Sequence, residues 1–494
     1  MNPVQTEQGL LLGVEQDGIF AHLAIPFAAP PVGELRWRPP APPQPWTGVR
    51  DAAAYGNAAV QIANTGFDAG ARQSEDCLYL NVWTPTLDPA AKQAVMVWIH
   101  GGGFLNGAAS MPMYVGSELA RRGVTVVSLN YRLGAFGFLA HHDAGANFAV
   151  QDWVAGLRWV AANVASFGGD PANVTIFGQS AGGAAVRALL STPSARGLFH
   201  RGIIQSAGFE NYAVVASPSY QRAATATLAV LDQLGCRDIA ELRAVPTEQV
   251  RAASFACAGV FPPPGQVHTP ANLVWYPVVD DAVIVDDFAG WPSNVPVMLG
   301  CTEDESRFFI KPNAVYAHPE LRPQDVYTQP TLETMARVLG GDAADDILAH
   351  FAASGLTPYE ALAQLCTSAV WHEPALATMT RFADLDRTAF HYRFTRKSPG
   401  AIQAGLLAFH SAEIAYLFGQ VATAPGYEAV DQAVSQAIQH AWVEFARTGV
   451  PSHLDGSPWP AAARAAPAVT VIADSTLSGP ASPSAITALI HATR

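Results

Sequence analysis

Residues 174–183 read VTIFGQSAGG, a β-branched run followed by a serine between glycines. Within it, Gly178-Gln179-Ser180-Ala181-Gly182 fits the pattern G-x-S-x-G, with a predicted strand before it and a helix-forming segment (183–190) after it. Such a turn strains the serine backbone and exposes its hydroxyl, and the glycines leave room for it. The pattern alone is a common glycine-rich turn, but the flanking strand and helix favour a nucleophile.

Apolar runs of strand length alternate with helical patterns along the rest of the chain. The run at 150–168 has apolar residues at helical spacing between two such strands, and this alternation predicts a mostly parallel sheet with helices on both faces. The proline-rich first 50 residues indicate irregular chain and short edge strands. Further strands are predicted within 78–85, 94–100, 123–131, 200–208, 294–300 and 389–394.

No linker or repeat divides the chain, so we predict a single domain over residues 1–494. Two stretches between predicted strands, 210–290 and 311–388, have an alanine-rich helical pattern. We expect them to be helical insertions that form the gorge or lid above the active site.

Composition excludes several classes of function. The chain has 494 residues, half of them hydrophobic, and its net charge of −13 disfavours nucleic acid and anionic lipid as partners. Apolar runs are too short to insert into a membrane, and the start has no secretory signal pattern. The five cysteines form no Cys-x-x-Cys pair, which favours buried free thiols. A cytoplasmic protein is expected.

A serine nucleophile needs donors for the oxyanion, and a second glycine run offers them. The predicted strand at 94–99 runs into His-Gly-Gly-Gly-Phe at 100–104. Consecutive glycines let backbone N–H groups approach an oxyanion, so we predict Gly102, Gly103 and Ala181 as the oxyanion hole. The alternative is a phosphate-binding or structural turn, but no GKS/T or GxGxxG pattern follows. His100 is expected to shape the loop rather than act as a base.

The acid of a Ser-acid-His triad should follow a later strand. Glu303, Asp304 and Glu305 all come directly after the predicted strand at 294–300, and their spacing alone does not choose among them.

The base must follow the acid on a loop that leaves a strand. His410 opens a predicted helix after a loop and meets this condition, whereas His391 lies within a strand and His440 within a helix. His453 lies in a proline- and glycine-rich loop. A His-x-x-Glu pair with Glu413 suggests metal as an alternative, but two ligands are weak evidence for zinc, so we prefer the triad.

Taken together, these motifs resemble the type-B carboxylesterases, the family of bacterial para-nitrobenzyl esterases, animal carboxylesterases and cholinesterases. The resemblance implies an α/β-hydrolase fold and a catalytic triad of Ser180, Glu305 and His410, since the family pattern ends in an Asp-Glu pair. It also implies the same oxyanion donors and two structural ion pairs, Arg36 with Glu75 and Arg132 with Asp152. The matching motifs are LAIPFAAPPVGELRWRPP, SEDCLYLNVWTP, WIHGGGF, NYRLGAFGFL, FGGDPANVTIFGQSAGG, GIIQSAG, VPVMLGCTEDESRFF and AFHSAEIAYLFG.

Departures from the family pattern narrow the predicted class of ester substrate. Cys77 lacks the upstream partner that members from oxidising compartments have, and Gln179 stands where cholinesterases have a glutamate. An uncharged ester is therefore expected rather than a choline ester. Ser306 replaces a common glycine, and Ser206 would lie behind the triad, where a buried structural hydroxyl is the safer interpretation.

The sequence thus predicts a serine carboxylic-ester hydrolase that acts on short to medium acyl or aryl esters through an acyl-enzyme. No metal and no organic cofactor is expected, the partner is a small-molecule ester, and the protein is expected to be a monomer or homodimer. Alternatives are the same machinery acting on amides, carbamates or phthalate diesters, or a non-catalytic binding homologue.

Overall fold

A computed structural model describes residues 2–62, 72–207, 219–258, 267, 272–285, 293–310, 322–462, 468–480 and 482–494. Every strand predicted from an apolar run is present, and several more form near the chain ends. The strands are β1 Val4–Gln5, β2 Leu10–Leu12, β3 Val14–Gln16, β4 Ile19–Pro26, β5 Val49–Asp51, β6 Tyr79–Thr84, β7 Gln93–Ile99, β8 Thr125–Leu129, β9 Gly169–Gln179, β10 Arg201–Gln205, β11 Val297–Thr302, β12 Ala389–Phe394, β13 Ala468–Ile472 and β14 Thr476–Pro480.

Within the described residues, eleven strands form one sheet in the order β14-β13-β12-β11-β10-β9-β7-β8-β6-β4-β3. The run from β8 through β7 and β9 to β13 is parallel, and the strands at both ends pair antiparallel. Parallel neighbours require crossover connections, which places helices on both faces of the centre. The sheet is the mostly parallel one predicted, and β1, β2 and β5 form a separate small sheet.

Helices occupy the crossovers between parallel strands and extend into the two long connections before and after β11. The α-helices are Ser117–Ala120, Gly134–Phe138, Phe148–Asn163, Ala181–Leu190, Tyr220–Gln233, Ile239–Ala244, Thr247–Ala256, Ser306–Ile310, Pro323–Val326, Gln329–Gly340, Ala344–Ser354, Pro358–Thr367, Glu373–Asp384, Pro399–Gln403, Ile414–Leu417, Ala429–Thr448 and Ala485–Thr493.

The two faces of the central strands bury different helices. Along β7, Val97 faces a cluster that contains Trp153 of the helix Phe148–Asn163, whereas Trp98 faces one that contains Trp442 of the helix Ala429–Thr448. Successive strand residues point to opposite faces, so a strand covered on both sides is apolar throughout. This explains why the β7 and β8 segments read as continuous apolar runs.

Both predicted insertions contain helices where the structure describes them. The second has its own buried cluster, in which Leu362 and Phe351 pack with Ile490 of the last helix. Residues 210–218, 259–266, 268–271, 286–290 and 311–321 of these stretches lie outside the described residues. Their position above the site stays a prediction.

The two buried ion pairs that the resemblance implied are both present. Arg36 contacts Glu75 at 2.5 Å, and Arg132 contacts Asp152 at 2.7 Å, with all four side chains almost completely buried. All five cysteines are free, and burial, as its largest cause, raises the pKa of the Cys77 thiol. Among the described helices, none has the length and apolarity required to cross a membrane.

Candidate active site

The serine of the glycine-rich turn sits at the junction of a strand and a helix. β9 ends at Gln179, the helix Ala181–Leu190 follows, and Ser180 between them has φ 57° and ψ −128°. Its backbone N–H donates to the carbonyl oxygen of Gln205 on the neighbouring strand, at 2.8 Å. A Cβ on Gly182 would collide with the carbonyl oxygen of Ile99. The helix therefore packs directly on backbone, and glycine is required there.

The glycine turn after β7 lies against this serine. A Cβ built on Gly101 would be 3.1 Å from the Cβ of Ser180, and Gly102 and Gly103 have φ values of 105° and 62°. Within the described residues, the N–H groups of Gly102, Gly103 and Ala181 make no hydrogen bond to the protein. Donors that point at no protein acceptor are what an oxyanion site requires.

His100, at the start of this turn, is held away from proton transfer. Burial lowers its pKa to about 4, so it is neutral at physiological pH, and its ring stacks on Tyr131 at 4.4 Å between centroids. The Tyr131 hydroxyl donates to the His100 carbonyl oxygen at 2.8 Å. These contacts fit the loop-shaping role expected of it.

Of the three consecutive carboxylates after β11, two bind cations away from the predicted base. Glu303 pairs with Arg393 at 3.1 Å, and Asp304 lies 3.7 Å from Lys397. Burial raises the pKa of Asp304 despite this neighbour. Neither carboxylate contacts a histidine within the described residues.

Glu305 is the carboxylate that meets His410. Its Oε2 lies 2.5 Å from Nδ1 of His410, and its Oε1 accepts the backbone N–H of Thr302 at 2.8 Å. Glu305 is fully buried, so both oxygens are held in one orientation. The side-chain amide of Gln179, the residue before Ser180 in the chain, lies 3.2 Å from the other ring nitrogen, Nε2. An acceptor at Nδ1 fixes the tautomer with its lone pair on Nε2.

His410 lies in a turn, and the helix begins four residues later at Ile414, so the expectation that His410 itself opens the helix is off by one turn. The other candidate histidines lie elsewhere. His391 is buried within β12, and His440 contacts Ser452 from inside a helix. His453 contacts the hydroxyl of Ser478.

Aromatic rings surround the imidazole of His410. Phe309 lies 4.8 Å from it between ring centroids, Trp371 lies 5.9 Å away and Phe308 6.1 Å. Phe308 also stacks on Phe409 at 6.2 Å. The imidazole therefore borders an apolar, aromatic surface.

A second carboxyl group, that of Glu413, lies fully buried near the triad candidates. Burial, followed by the charge of Glu305, raises the pKa of Glu413 to about 7. The Gln205 amide donates to Glu413 Oε1 at 3.1 Å and accepts the indole N–H of Trp442 at 3.1 Å. The His-x-x-Glu spacing was the available signal, but it suggested metal instead.

One group among the described residues has the composition of a cation site, and it lies away from these residues. His141, His142 and Asp143 occupy a tight turn, with His142 and Asp143 largely exposed. Nδ1 of His141 already accepts the backbone N–H of Asp143 at 3.2 Å. His410 and Glu413 belong to no such group.

Comparisons with known proteins show the family of the chain. A sequence model described as the Carboxylesterase family matches residues 1–479. The chain belongs to the carboxylesterase family. It is 34% identical to the para-nitrobenzyl esterase of Bacillus subtilis (strain 168), over 93% of this chain and 92% of that one. It is 35% identical to the phenmedipham hydrolase of Pseudarthrobacter oxydans, over 95% and 94% of the two chains.

Solved structures of the family share the fold along the whole chain. A para-nitrobenzyl esterase structure superposes with a TM-score of 0.82 at 31% identity, and it covers 99% of both chains. A Geobacillus stearothermophilus carboxylesterase superposes with a TM-score of 0.83 at 32% identity and the same coverage. The protein is an α/β-hydrolase and an ester-hydrolysing enzyme.

Proposed function

We propose that the protein hydrolyses uncharged carboxylic esters through an acyl-enzyme on Ser180, with His410 as base and Glu305 as its orienting acid. The observation that carries this proposal is the 2.5 Å contact between Glu305 Oε2 and His410 Nδ1, with Nε2 directed at the residue before Ser180. A serine hydroxyl at its ordinary pKa is a poor nucleophile and needs such a base.

In the proposed reaction, Ser180 Oγ attacks the ester carbonyl carbon while His410 Nε2 takes the hydroxyl proton. The imidazolium, stabilised by Glu305, then gives this proton to the leaving alkoxide oxygen, and the acyl-enzyme forms. Water attacks the acyl-enzyme by the same route, which releases the acid and restores the serine. The Gln179 amide must leave Nε2, or turn its oxygen toward it, once that nitrogen carries a proton.

The oxyanion of each tetrahedral intermediate would bind the free N–H groups of Gly102, Gly103 and Ala181. Ala181 begins a ten-residue helix, so its N–H also lies at the positive end of the helix dipole. Loss of one such donor typically lowers kcat by about 10²- to 10³-fold.

Two features support an uncharged substrate. Phe308, Phe309 and Trp371 supply an apolar surface beside His410, which suits alkyl and aryl groups. Gln179 carries no charge where an anion would favour a cationic alcohol group. Short to medium acyl esters and aryl esters are therefore the proposed substrates.

We further propose a cytoplasmic monomer or homodimer that acts without a nucleic-acid partner. The free cysteines support a reducing compartment, and the net charge of −13 opposes binding to phosphate backbones.

Hydrolysis of p-nitrophenyl butyrate by purified protein tests the proposal. With deacylation slower than acylation, we expect a burst of nitrophenol equal to the enzyme concentration, followed by slower turnover. The Ser180→Ala variant should lose activity on the order of 10⁶-fold while its circular dichroism is unchanged. A variant that keeps its activity would contradict the assignment of the nucleophile.

The second candidate is the same machinery on amides, carbamates or phthalate diesters, and the 35% identity to a phenmedipham hydrolase favours testing it. Relative kcat/KM values for phenmedipham, a phthalate diester and matched aryl esters and amides separate the two candidates, because pocket shape and not the triad selects among leaving groups.

A further inference from the structure

A chain of buried hydrogen bonds supports Glu305 from the side opposite His410. Thr302, the last residue of β11, uses both of its peptide groups in it. Its N–H donates to Glu305 Oε1 at 2.8 Å, and its carbonyl oxygen lies 3.0 Å from Nε2 of His372. Nδ1 of His372 lies 3.1 Å from Arg393, a residue of β12. Glu305, Thr302 and His372 are all buried.

The partners of His372 determine its tautomer. An arginine only donates, so Nδ1 of His372 accepts from Arg393, and Nε2 must carry the proton that bonds to the Thr302 carbonyl. Burial, with Arg393 as the next cause, lowers the pKa of His372 well below its ordinary value, which agrees with a neutral ring. The direction of each bond between Arg393 and Glu305 is therefore defined.

A π-helical turn brings this histidine to the site. Residues Ser368–His372 form one π turn between the helices Pro358–Thr367 and Glu373–Asp384. Such turns are rare and are often found at functional sites. Its last two residues contact different parts of the triad: Trp371 packs near the His410 ring, and His372 contacts the backbone that holds Glu305.

We propose that His372 is a positioning residue for ester hydrolysis, acting through the backbone of Thr302 to hold Glu305 Oε1 so that Oε2 faces His410. The inference rests on the proposed triad. Without His372, the peptide that follows Thr302 keeps its bond from the Glu303 N–H to the Phe394 carbonyl oxygen, at 2.9 Å, but loses the bond that fixes its carbonyl oxygen. We expect the end of β11 to shift, the Glu305 carboxylate to move with the Thr302 N–H, and the His410 ring to lose its orientation. A displacement of about 1 Å in such a group lowers the rate by about 10²-fold.

Two polar substitutions of different length test the proposal. His372→Gln has an amide that reaches the Thr302 carbonyl, whereas the amide of His372→Asn is too short for it. With p-nitrophenyl butyrate, we expect His372→Asn to lower kcat by about 10- to 100-fold with KM unchanged, and His372→Gln to recover most of that loss. His391→Asn is the matched control, since His391 is a buried neutral neighbour whose Nε2 bonds to nothing in the described chain.

A double-mutant cycle with Glu305→Gln separates positioning from general damage to the fold. If His372 acts through Glu305, adding His372→Asn to Glu305→Gln causes no further loss of kcat. Multiplied losses, equal kcat in the Gln and Asn variants, or the same loss in His391→Asn would each overturn the proposal. If His372→Asn does not fold, His372→Gln takes its place in the cycle, and its residual loss must vanish in the same way.

The failure of the proposed function would be visible separately. Full activity of the Glu305→Gln single variant would refute the triad assignment, regardless of the activities of the His372 variants. A normal triad response with unaffected His372 variants would overturn only the positioning role.

Discussion

The substitution Glu413→Gln should raise the free energy of unfolding in alkaline solution and change that free energy little in acid. Burial and the charge of Glu305 raise the pKa of Glu413 from its ordinary value of 4.5 to about 7. Below the ordinary value this carboxyl is neutral in both the folded and the unfolded chain. As the pH rises, the unfolded chain ionises first, so the folded state is progressively disfavoured until Glu413 itself ionises near pH 7.

The magnitude follows from the size of this shift. At about 1.4 kcal/mol per pH unit, a pKa raised from 4.5 to about 7 corresponds to a loss of about 3 kcal/mol above pH 7. Glutamine has the same shape and no ionisation, and it still accepts the hydrogen bond from the Gln205 amide. The variant therefore avoids the loss, and the gain appears only above neutral pH.

Urea unfolding of the wild type and the variant at about pH 5 and about pH 8.5 measures this difference. The gain in unfolding free energy should be about 2 to 3 kcal/mol larger at the higher pH. Glu303→Gln is the control, because its carboxyl is 41% exposed and should show no comparable gain. An equal effect of Glu413→Gln at both pH values would refute the reasoning.

Three further substitutions test the site by activity or stability. Glu305→Gln should lower kcat on p-nitrophenyl butyrate by about 10⁴-fold while Glu303→Gln stays active, and the reverse order would exclude Glu305 as the acid. Gln179→Glu places an anion beside Nε2 of His410 and favours the protonated form of that ring. The acid limb of the pH–kcat/KM profile should therefore move to higher pH by about one unit or more. An unmoved limb would contradict the 3.2 Å contact between Gln179 and His410. Gly182→Ala should lower the free energy of unfolding by about 1 to 3 kcal/mol or more, whereas Gly479→Ala, with open space around it, should not, and equal effects in urea unfolding would refute the close packing.

Local patterns in the sequence were sufficient to predict the strands and turns that hold the candidate site residues. The apolar run before Ser180 forms β9, and the glycine run after β7 forms a turn against the same serine. These features can be predicted from the sequence because they depend on residues that are close together in the chain. A strand depends on the alternation of its side chains, and the turns depend on residues that lack a Cβ. The uninterrupted apolar character of β7 likewise reports a strand buried on both faces.

A local sequence pattern does not show which of the three consecutive carboxylates contacts His410. Glu303, Asp304 and Glu305 are consecutive and chemically alike. Asp304 contacts the nearby Arg307, but each of the three also has a partner far along the chain, namely Arg393, Lys397 and His410 in turn. Which carboxylate turns inward depends on the course of the chain after β11 and on the loop that brings His410 beside it. Family resemblance pointed to Glu305, but residue spacing did not.

The support behind the triad could not be read from the sequence at all. His372 lies 70 positions from Thr302, inside a segment that reads as an ordinary alanine-rich helix, and Glu413 looked like half of a metal site. Strand and turn types follow from interactions between near neighbours, so the chain encodes them locally. The partner of a buried polar group follows from how the sheet and its helices pack, and that packing exists only in the folded protein.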